Sequence, residues 1–209
     1  MNTTATATAS SHVWQTLRDM ASAPYRGAGR FAWHFARGKL GMDPVFRHLL
    51  SRGLIEPRAR VLDIGCGQGL LASLLRAADA AAARSHWPAD WAPAPHGVQV
   101  TGIELMPRDV ERAQRALGAT AAEFVCGDMR HTPFPEADTV VLLDVLHYIS
   151  VPEQDHLLAR VRDALPPGGR LLLRIGDMAA VRARRTSRSI NSIPVTRAPL
   201  GAVAQPAGQ

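Results

Sequence analysis

The chain has 209 residues, of which 46% are hydrophobic and 20% are charged, a composition that predicts one globular domain and excludes wholesale disorder. No apolar run approaches the roughly 18 residues of a membrane-spanning helix, and the N-terminus lacks the features of a secretory signal. With only two cysteines, Cys66 and Cys126, we expect no disulfide scaffold, no metal site and a cytoplasmic location. The net charge of +6 comes from the flanks, because residues 61–177 carry ten basic and fifteen acidic residues, and this acidic centre argues against a nucleic-acid partner.

The first quarter of the chain predicts two N-terminal segments. Residues 1–24 begin with Thr, Ala and Ser, which predict disorder, and His12–Ala23 predicts a short helix. Residues 25–56 are aromatic and basic, and their glycines divide them into two helices. This segment either adds a second core patch or forms a lid over a ligand.

Residues 57–177 predict the core, in which apolar strands alternate with helices. Strands are predicted over Arg60–Ile64, Val98–Leu105, Glu123–Cys126, Thr139–Leu143 and Arg170–Ile175, and helices over Gly69–Ala82, Pro107–Leu117 and Val151–Leu165. The stretch Arg84–Gly97 contains two Trp and three Pro and predicts a loop. Continuous Val/Leu/Ile strands between helices indicate a Rossmann-like α/β fold, a doubly wound and mostly parallel sheet with helices on both faces.

The sharpest motif is the glycine-rich sequence VLDIGCGQG, which lies between the first core strand and its helix. Gly65, Gly67 and Gly69 allow a ligand to approach the backbone and the helix N-terminus. The dinucleotide fingerprint G-x-G-x-x-G fails because residue 70 is Leu. Asp63 would repel a pyrophosphate but could accept a hydrogen bond from an ammonium, which favours a ligand with an amino-acid end.

Two further acidic positions extend this predicted site. Glu104 closes the second strand, where a carboxylate can accept both hydroxyls of a ribose. Asp128 and Met129 follow the third strand, where Asp128 could accept from an exocyclic amine and Met129 could pack against an adenine face. Together they predict a pocket for an amino acid joined to ribose and adenine.

With these motifs the sequence resembles the class I S-adenosylmethionine-dependent methyltransferases over about residues 45–177. The resemblance also includes GIEL, CGDM, ADTVVLLDVLHYI and LPPGGRLLLRIGD, in the family's order. It implies S-adenosyl-L-methionine as methyl donor and these donor-binding residues: Asp63, Gly65, Cys66, Gly67, Gly69, Glu104, Leu105, Asp128 and Met129. It also implies that Asp144 lines the methyl-transfer pocket, and His147 is a candidate general base that could instead pack against the site.

The leading hypothesis is therefore an enzyme that transfers a methyl group by in-line displacement to a small-molecule acceptor through oxygen, carbon or a small amine. The fourth strand ends LLDVLHYI, without the Asn/Asp-Pro-Pro-Tyr motif of nucleic-acid or protein amino-group methylation. Two alternatives stay open: a non-catalytic methyltransferase-like binding protein and a nicotinamide oxidoreductase. The acceptor and the oligomeric state are left open.

The end of the chain departs from the family pattern, which has seven strands with the last two antiparallel. Residues 178–209 have isolated apolar positions, three prolines and five arginines without an acid. Such a segment buries too little apolar surface to offset its ordering entropy. We predict a basic, disordered or loosely helical tail, a sheet without its last two strands, and a fifth strand that forms an exposed edge.

Overall fold

A computed structural model of the protein describes residues 3–118, 122–175 and 191–194, with side chains described for residues 11–118 and 122–175. The described strands are β1 (Arg60–Ile64), β2 (Gln99–Glu104), β3 (Glu123–Cys126), β4 (Thr139–Leu143), β5 (Arg170–Arg174) and β6 (Asn191–Pro194). They form one six-stranded sheet in the order β3-β2-β1-β4-β5-β6. The first five strands run parallel, and β6 pairs antiparallel with β5.

The helices precede the sheet or connect its strands. They are α1 (Thr3–Ser22), α2 (Arg30–Met42), α3 (Pro44–Ser51), α4 (Leu70–Ala83), α5 (Pro107–Leu117) and α6 (Val151–Ala164), with short 3₁₀ helices at Ala23–Arg26 and Leu146–Tyr148. The predicted α/β doubly wound fold is confirmed, and β1, β3, β4 and α5 have the predicted bounds. These strands were predictable because each is a short apolar run bounded by turn residues.

The two faces of the sheet pack against different helices, since side chains alternate along each strand. Val61 and Val141 belong to a hydrophobic cluster with residues of α1 to α5. Leu62 and Ile64 point to the other face, where they share a cluster with Leu157 of α6. Both faces are therefore buried, as a parallel sheet requires.

The N-terminal helices share the core of the sheet instead of standing apart from it. Leu17 and Leu40 are fully buried in the same cluster as α4. The hydroxyl of Tyr25 donates to the carbonyl oxygen of Gln68 at 2.8 Å, and the hydroxyl of Ser73 donates to the carbonyl oxygen of Ala21 at 2.6 Å. These buried hydrogen bonds fix Tyr25 against the turn that follows β1 and α1 against α4.

Helix α1 is longer than predicted. It begins at Thr3, whereas the sequence predicted disorder up to residue 11 and a helix from His12. Once Leu17 and Ala21 anchor the second half of the helix, each further residue adds a hydrogen bond to an existing nucleus, so an Ala- and Thr-rich stretch can continue it.

The prediction that β5 is an exposed edge is wrong. Residues 191–194 form β6, and its register places Ile193 opposite Leu171. The sequence missed this strand because an unpaired strand edge presents backbone N–H and C=O groups, which pair with an extended segment whatever its side-chain pattern. The rest of the predicted tail lies outside the described residues, and no seventh strand occurs within them.

The strand order reverses between β1 and β4. From β1 the chain moves outward through β2 and β3, and it then returns to the other side of β1 with β4. In open α/β sheets ligands bind at such a switch point, beside the carboxyl ends of the strands. The topology therefore directs attention to the residues that follow β1, β2 and β4.

Candidate active site

A cavity of about 580 Å³ lies at this switch point, at the carboxyl ends of the strands. Its two ends differ in construction, and we name each by its residues. The glycine end comprises Asp63, Gly65, Gly67, Glu104 and Met129. The arginine end comprises Phe35, Lys39, Phe46, Asp144 and Arg174.

The turn after β1 makes two uses of glycine. Gly65 and Gly67 have φ values of +76° and +55°, which L side chains rarely adopt. A Cβ on Gly65 would lie 2.2 Å from Val145, so packing excludes any larger residue there. A Cβ on Gly67 would meet no described atom within 4 Å, and Gly67 lines the cavity. The space beside Gly67 is therefore open to a ligand.

Asp63 is a buried carboxylate at the floor of the glycine end. It is 6% exposed, and no described residue donates a hydrogen bond to its side chain. Burial, together with the negative charge of Glu104, raises the pKa of Asp63 to about 7. A cationic ligand group beside Asp63 would stabilise its charged form.

Glu104 is held in place by backbone N–H groups. Its Oε2 accepts from the amide of Gly67 and its Oε1 from the amide of Met106, both at 2.9 Å. Each carboxylate oxygen has a second lone-pair direction available to a further donor. The carboxylate is thus pre-oriented at the end of β2 and can accept two adjacent hydroxyl groups.

The loop after β3 forms the side wall of the cavity, which Asp128 and Met129 line. Asp128 forms an ion pair with Arg130 at 2.6 Å, and Arg130 also reaches Glu153 at 2.8 Å. Hydrogen bonds from Arg130 lower the pKa of Asp128 to about 2. Asp128 is therefore a charged acceptor whose orientation is set by Arg130.

At the arginine end, one buried guanidinium joins two carboxylates. Arg174, 7% exposed, donates to both oxygens of Asp43 at 2.6 and 2.7 Å and from Nε to Asp144 at 2.9 Å, while its Nη2 also contacts Asp144. Lys39 Nζ lies 2.8 Å from Asp43. Burial disfavours the charged form of Asp43, but hydrogen bonds from Arg174 and Lys39 outweigh it and lower the pKa of Asp43 to about 2.

Asp144 has an unusual backbone. Its φ is +59°, and its amide donates to the carbonyl oxygen of Arg174 at 2.9 Å. Left-handed conformations of residues other than glycine cost energy and persist where surrounding contacts hold them. The ion pair with Arg174 and this backbone bond supply those contacts, so they fix Asp144 at the cavity surface.

Most of the predicted site residues are brought together. The cavity is lined by Asp63, Gly65, Cys66, Gly67, Glu104, Leu105, Asp128, Met129 and Asp144. Gly69 does not line it. Gly69 precedes α4, where a Cβ would lie 2.7 Å from Phe124, so packing leaves no room for a side chain at this position. Burial raises the pKa of the Cys66 thiol, aided by the charges of Asp63 and Glu104, so this side chain is a packed neutral group.

The structure does not place His147 on the cavity. Its ring lies 4.1 Å from that of Tyr148, and its buried Nδ1 has no hydrogen-bond partner among the described residues. A base must reach the proton it removes. The alternative from the sequence, that His147 packs beside the site, is the one that agrees with this geometry.

Apart from Asp144, sequence reasoning missed the residues that build the arginine end. Lys39 and Phe35 lie on α2, and Arg174 comes from the far end of the core. A charged residue at the carboxyl end of the apolar strand RLLLR was a usable signal for Arg174, because that edge of a parallel sheet carries ligand sites. Nothing local to residues 30–46 indicates which of its side chains enter the cavity.

A doubly wound sheet with a glycine turn and a held carboxylate at its switch point defines a ligand-binding domain of the nucleotide-binding type. Comparison with known families narrows this class. The family model described as "Methyltransferase domain" matches residues 33–191. The chain belongs to this methyltransferase domain family.

Individual relatives agree with the family. The chain is 36% identical over 137 residues to 27-O-demethylrifamycin SV methyltransferase of Amycolatopsis mediterranei, covering 62% of this chain and 43% of the relative. It is 35% identical over 132 residues to trans-aconitate 2-methyltransferase of Mycobacterium tuberculosis, covering 62% and 42%. The chain thus spans less than half the length of these curated relatives.

One similar solved structure is a SAM-dependent methyltransferase from Thiobacillus denitrificans in complex with S-adenosyl-L-homocysteine. The two chains are 27% identical, the match covers 57% of this chain and 42% of the other, and the TM-score is 0.40. With so low a TM-score, the assignment rests on the family model. In the part of the chain that the structure describes, no helix is long and apolar enough to cross a membrane, and no three metal-ligating side chains cluster.

Proposed function

We propose that this chain transfers a methyl group from S-adenosylmethionine to a small-molecule acceptor. The observation that carries the proposal is the pairing of an open space beside Gly67 with the held carboxylate of Glu104 across the same turn. Such a pair suits a ligand whose ribose lies against Glu104 while its chain passes over the glycine turn. The family membership of the chain supports the same reaction.

The residues of the glycine end fit each part of this donor. Asp63 offers a buried carboxylate, without a described partner, for the ammonium of the amino-acid end. Glu104 offers both oxygens to the ribose hydroxyls, each strengthened by charge. Leu105 and Met129 supply apolar surface for adenine, and Asp128, held as a charged acceptor by Arg130, lines the cavity as the candidate partner of its amine.

The chain's own contribution is to align the reactants and exclude water. When bound, S-adenosylmethionine supplies a methyl group already activated by a positively charged sulfur. The protein therefore gains most from orienting the acceptor in line with that methyl group. We assign this task to the arginine end, where Arg174 holds Asp144 at the cavity surface.

We assign the other predicted features to the same scheme. Asp144, whose charge is paired with Arg174, shapes the wall of the acceptor space, whereas His147 has no geometric support as a base and stays a sequence prediction. Residues 25–56 contribute Phe35, Lys39 and Phe46 to the cavity, which supports their role as a lid. Both cysteines are free, a state that reducing compartments maintain, and we infer a cytoplasmic location.

Titration of the purified chain with S-adenosylhomocysteine, S-adenosylmethionine and NAD tests the proposal. We expect both adenosyl ligands to bind and NAD not to bind. Glu104→Gln should weaken S-adenosylhomocysteine binding by roughly tenfold or more, because charge-assisted hydrogen bonds to ribose become neutral ones.

Glu123→Gln, an exposed position at the opposite end of the neighbouring strand β3, is the matched control and should bind like the wild type. Binding of NAD alone would favour an oxidoreductase and refute the proposal. Binding of both adenosyl ligands without turnover on any acceptor would favour the non-catalytic alternative.

A further inference from the structure

We propose that the acceptor is a carboxylate with an extended apolar body, held with its carboxylate beside Lys39 and its body along the aromatic wall of the arginine end. This inference rests on the proposed methyl transfer and assigns a substrate class to the same cavity. It follows from three features of the described residues: the lack of a free base, the unfilled donors of Lys39, and the apolar surface that leads out of the cavity.

No lining side chain at the arginine end is free to remove a proton. Asp144 uses both oxygens to bind Arg174, and protonation would forfeit these charge-assisted bonds. Asp43 is tied to Arg174 and Lys39. No histidine lines the cavity among the residues that the structure describes. An acceptor that reacts without losing a proton fits this site better than a hydroxyl or an ammonium.

Lys39 is the group that matches a negatively charged acceptor. Its ammonium carries three N–H donors, and within the described residues only Asp43 accepts one of them. Lys39 lines the cavity and its side chain is 40% exposed, so the remaining donors can reach a ligand. Because Arg174 already binds both oxygens of Asp43, the charge of Lys39 is only partly neutralised by that carboxylate.

Apolar side chains line part of the cavity and continue outside it along α2. Phe35 and Tyr148 line the cavity yet are 45% and 76% exposed. Phe31 stacks on Phe35 with ring centroids 6.1 Å apart, and Met42 is exposed at helical spacing on the same face of α2. A contiguous exposed apolar surface that enters a binding cavity marks the path of an apolar ligand.

The chemistry of a carboxylate acceptor balances without a base. An oxygen lone pair of the carboxylate forms a bond to the methyl carbon, the bond between that carbon and sulfur breaks, and its electron pair stays on sulfur. The products are a methyl ester and a neutral thioether. No proton is released, whereas methylation of a hydroxyl releases one proton in each turnover.

Binding to the complex with S-adenosylhomocysteine tests the inference with octanoate, octan-1-ol and butanoate as probes. We expect octanoate to bind about tenfold more tightly than octan-1-ol, because Lys39 adds a charge-assisted hydrogen bond. We expect octanoate to bind about tenfold more tightly than butanoate, because its four extra methylenes cover the partly exposed wall.

Variants on α2 test whether the charge of Lys39, and not a general change in the fold, causes the preference for octanoate. Lys39→Met should lower the affinity for octanoate to that for octan-1-ol, and Lys39→Arg should retain the preference. Arg30→Met removes an exposed charge from the same helix away from the cavity and should change neither affinity. Phe35→Ala should lower the affinity for octanoate several-fold and leave that for butanoate unchanged.

The outcomes separate this inference from the proposed function. If S-adenosylhomocysteine does not bind the wild type, both the proposed methyl transfer and the acceptor class are wrong. If it binds, but octanoate binds no more tightly than octan-1-ol or Lys39→Met keeps the preference, the acceptor class is wrong while methyl transfer stands. Turnover of octan-1-ol in preference to octanoate, with one proton released per methyl group, would also overturn the acceptor class.

Discussion

The two ends of the cavity use the same residue types in opposite ways. At the glycine end, Asp63 and Glu104 contact no cationic side chain among the described residues. At the arginine end, Asp43 and Asp144 share one buried guanidinium. The first end keeps unpaired negative charge, which a ligand must complete, whereas the second pairs its own carboxylates with Arg174 and keeps its shape.

This difference shows where each end obtains its stability. Unpaired buried carboxylates cost free energy. Backbone N–H bonds offset this cost for Glu104, whereas burial makes Asp63 bind a proton more readily, as its raised pKa shows. Paired buried charges hold separate elements together, and Arg174 joins the start of α3 to the ends of β4 and β5. Variants at the first end should therefore change the affinity for S-adenosylhomocysteine, and loss of Arg174 at the second should change the stability of the fold.

The largest expected effect is on ligand binding at the glycine end. Gly67→Val should reduce S-adenosylhomocysteine affinity by about a thousandfold or more, because a branched side chain would fill the open space and disturb the amide that orients Glu104. Isothermal titration measures this change. Circular dichroism on the same samples checks that the sheet is retained.

Gly168→Val is the matched control. Gly168 also has a positive φ, of +83°, and a Cβ at this position would meet no described atom within 4 Å. Unlike Gly67, it precedes β5 and so lies at the amino ends of the strands, away from the cavity. It should show the same backbone strain, about 1–2 kcal/mol of lost stability, with unchanged affinity. Equal loss of affinity in both variants would contradict a ligand-contacting role for Gly67.

An intermediate effect is expected at the arginine end. Arg174→Met should lower the free energy of unfolding by about 3 kcal/mol, because it leaves two carboxylates without their shared partner, one of them largely buried. Arg170→Met, at the half-buried start of the same strand, removes an ion pair with the exposed Glu56 and should cost about 1 kcal/mol or less. Urea unfolding followed by fluorescence compares them, and equal losses would show that the Arg174 network does not join the elements.

The smallest effect is a pH dependence that belongs only to the glycine end. S-adenosylhomocysteine should bind roughly tenfold more tightly at pH 8 than at pH 6, because Asp63, with a pKa of about 7, must ionise to pair with the ligand ammonium. Asp63→Asn should bind weakly and lose this pH dependence. A wild-type affinity that is constant over this range would remove Asp63 from the ammonium site.

The raised pKa of Asp63 also makes the stability of the ligand-free protein depend on pH, in the direction opposite to that of ligand affinity. The pKa of Asp63 in the folded state exceeds the ordinary aspartate value of 3.8, so the folded chain binds more protons than the unfolded chain between about pH 4 and 7. Without ligand, the contribution of Asp63 to stability is present at low pH and is lost as the pH rises through 7. Asp63→Asn should therefore gain stability relative to the wild type at pH 8 and not at pH 4.

By itself the sequence determined the sheet and the glycine end. The turn VLDIGCGQG and the strand that ends at Glu104 carry their signals within a few residues, because glycine conformations, apolar strands and strand-end acids are local properties. Parallel topology then brings these local signals to one edge of the sheet, so Asp63, Gly67 and Glu104 could be predicted to meet.

The arginine end and the sheet edge were decided only by the tertiary structure. The pair of Asp43 and Arg174 joins residues 131 positions apart, and neither residue stands in a pattern that predicts the other. The pairing of β6 with β5 requires a free strand edge, and no local pattern in the sequence marks where that edge finds its partner. Contacts of this kind arise from how α2, α3 and β5 pack together. That packing depends on apolar residues from many parts of the chain, so no short sequence motif predicts it.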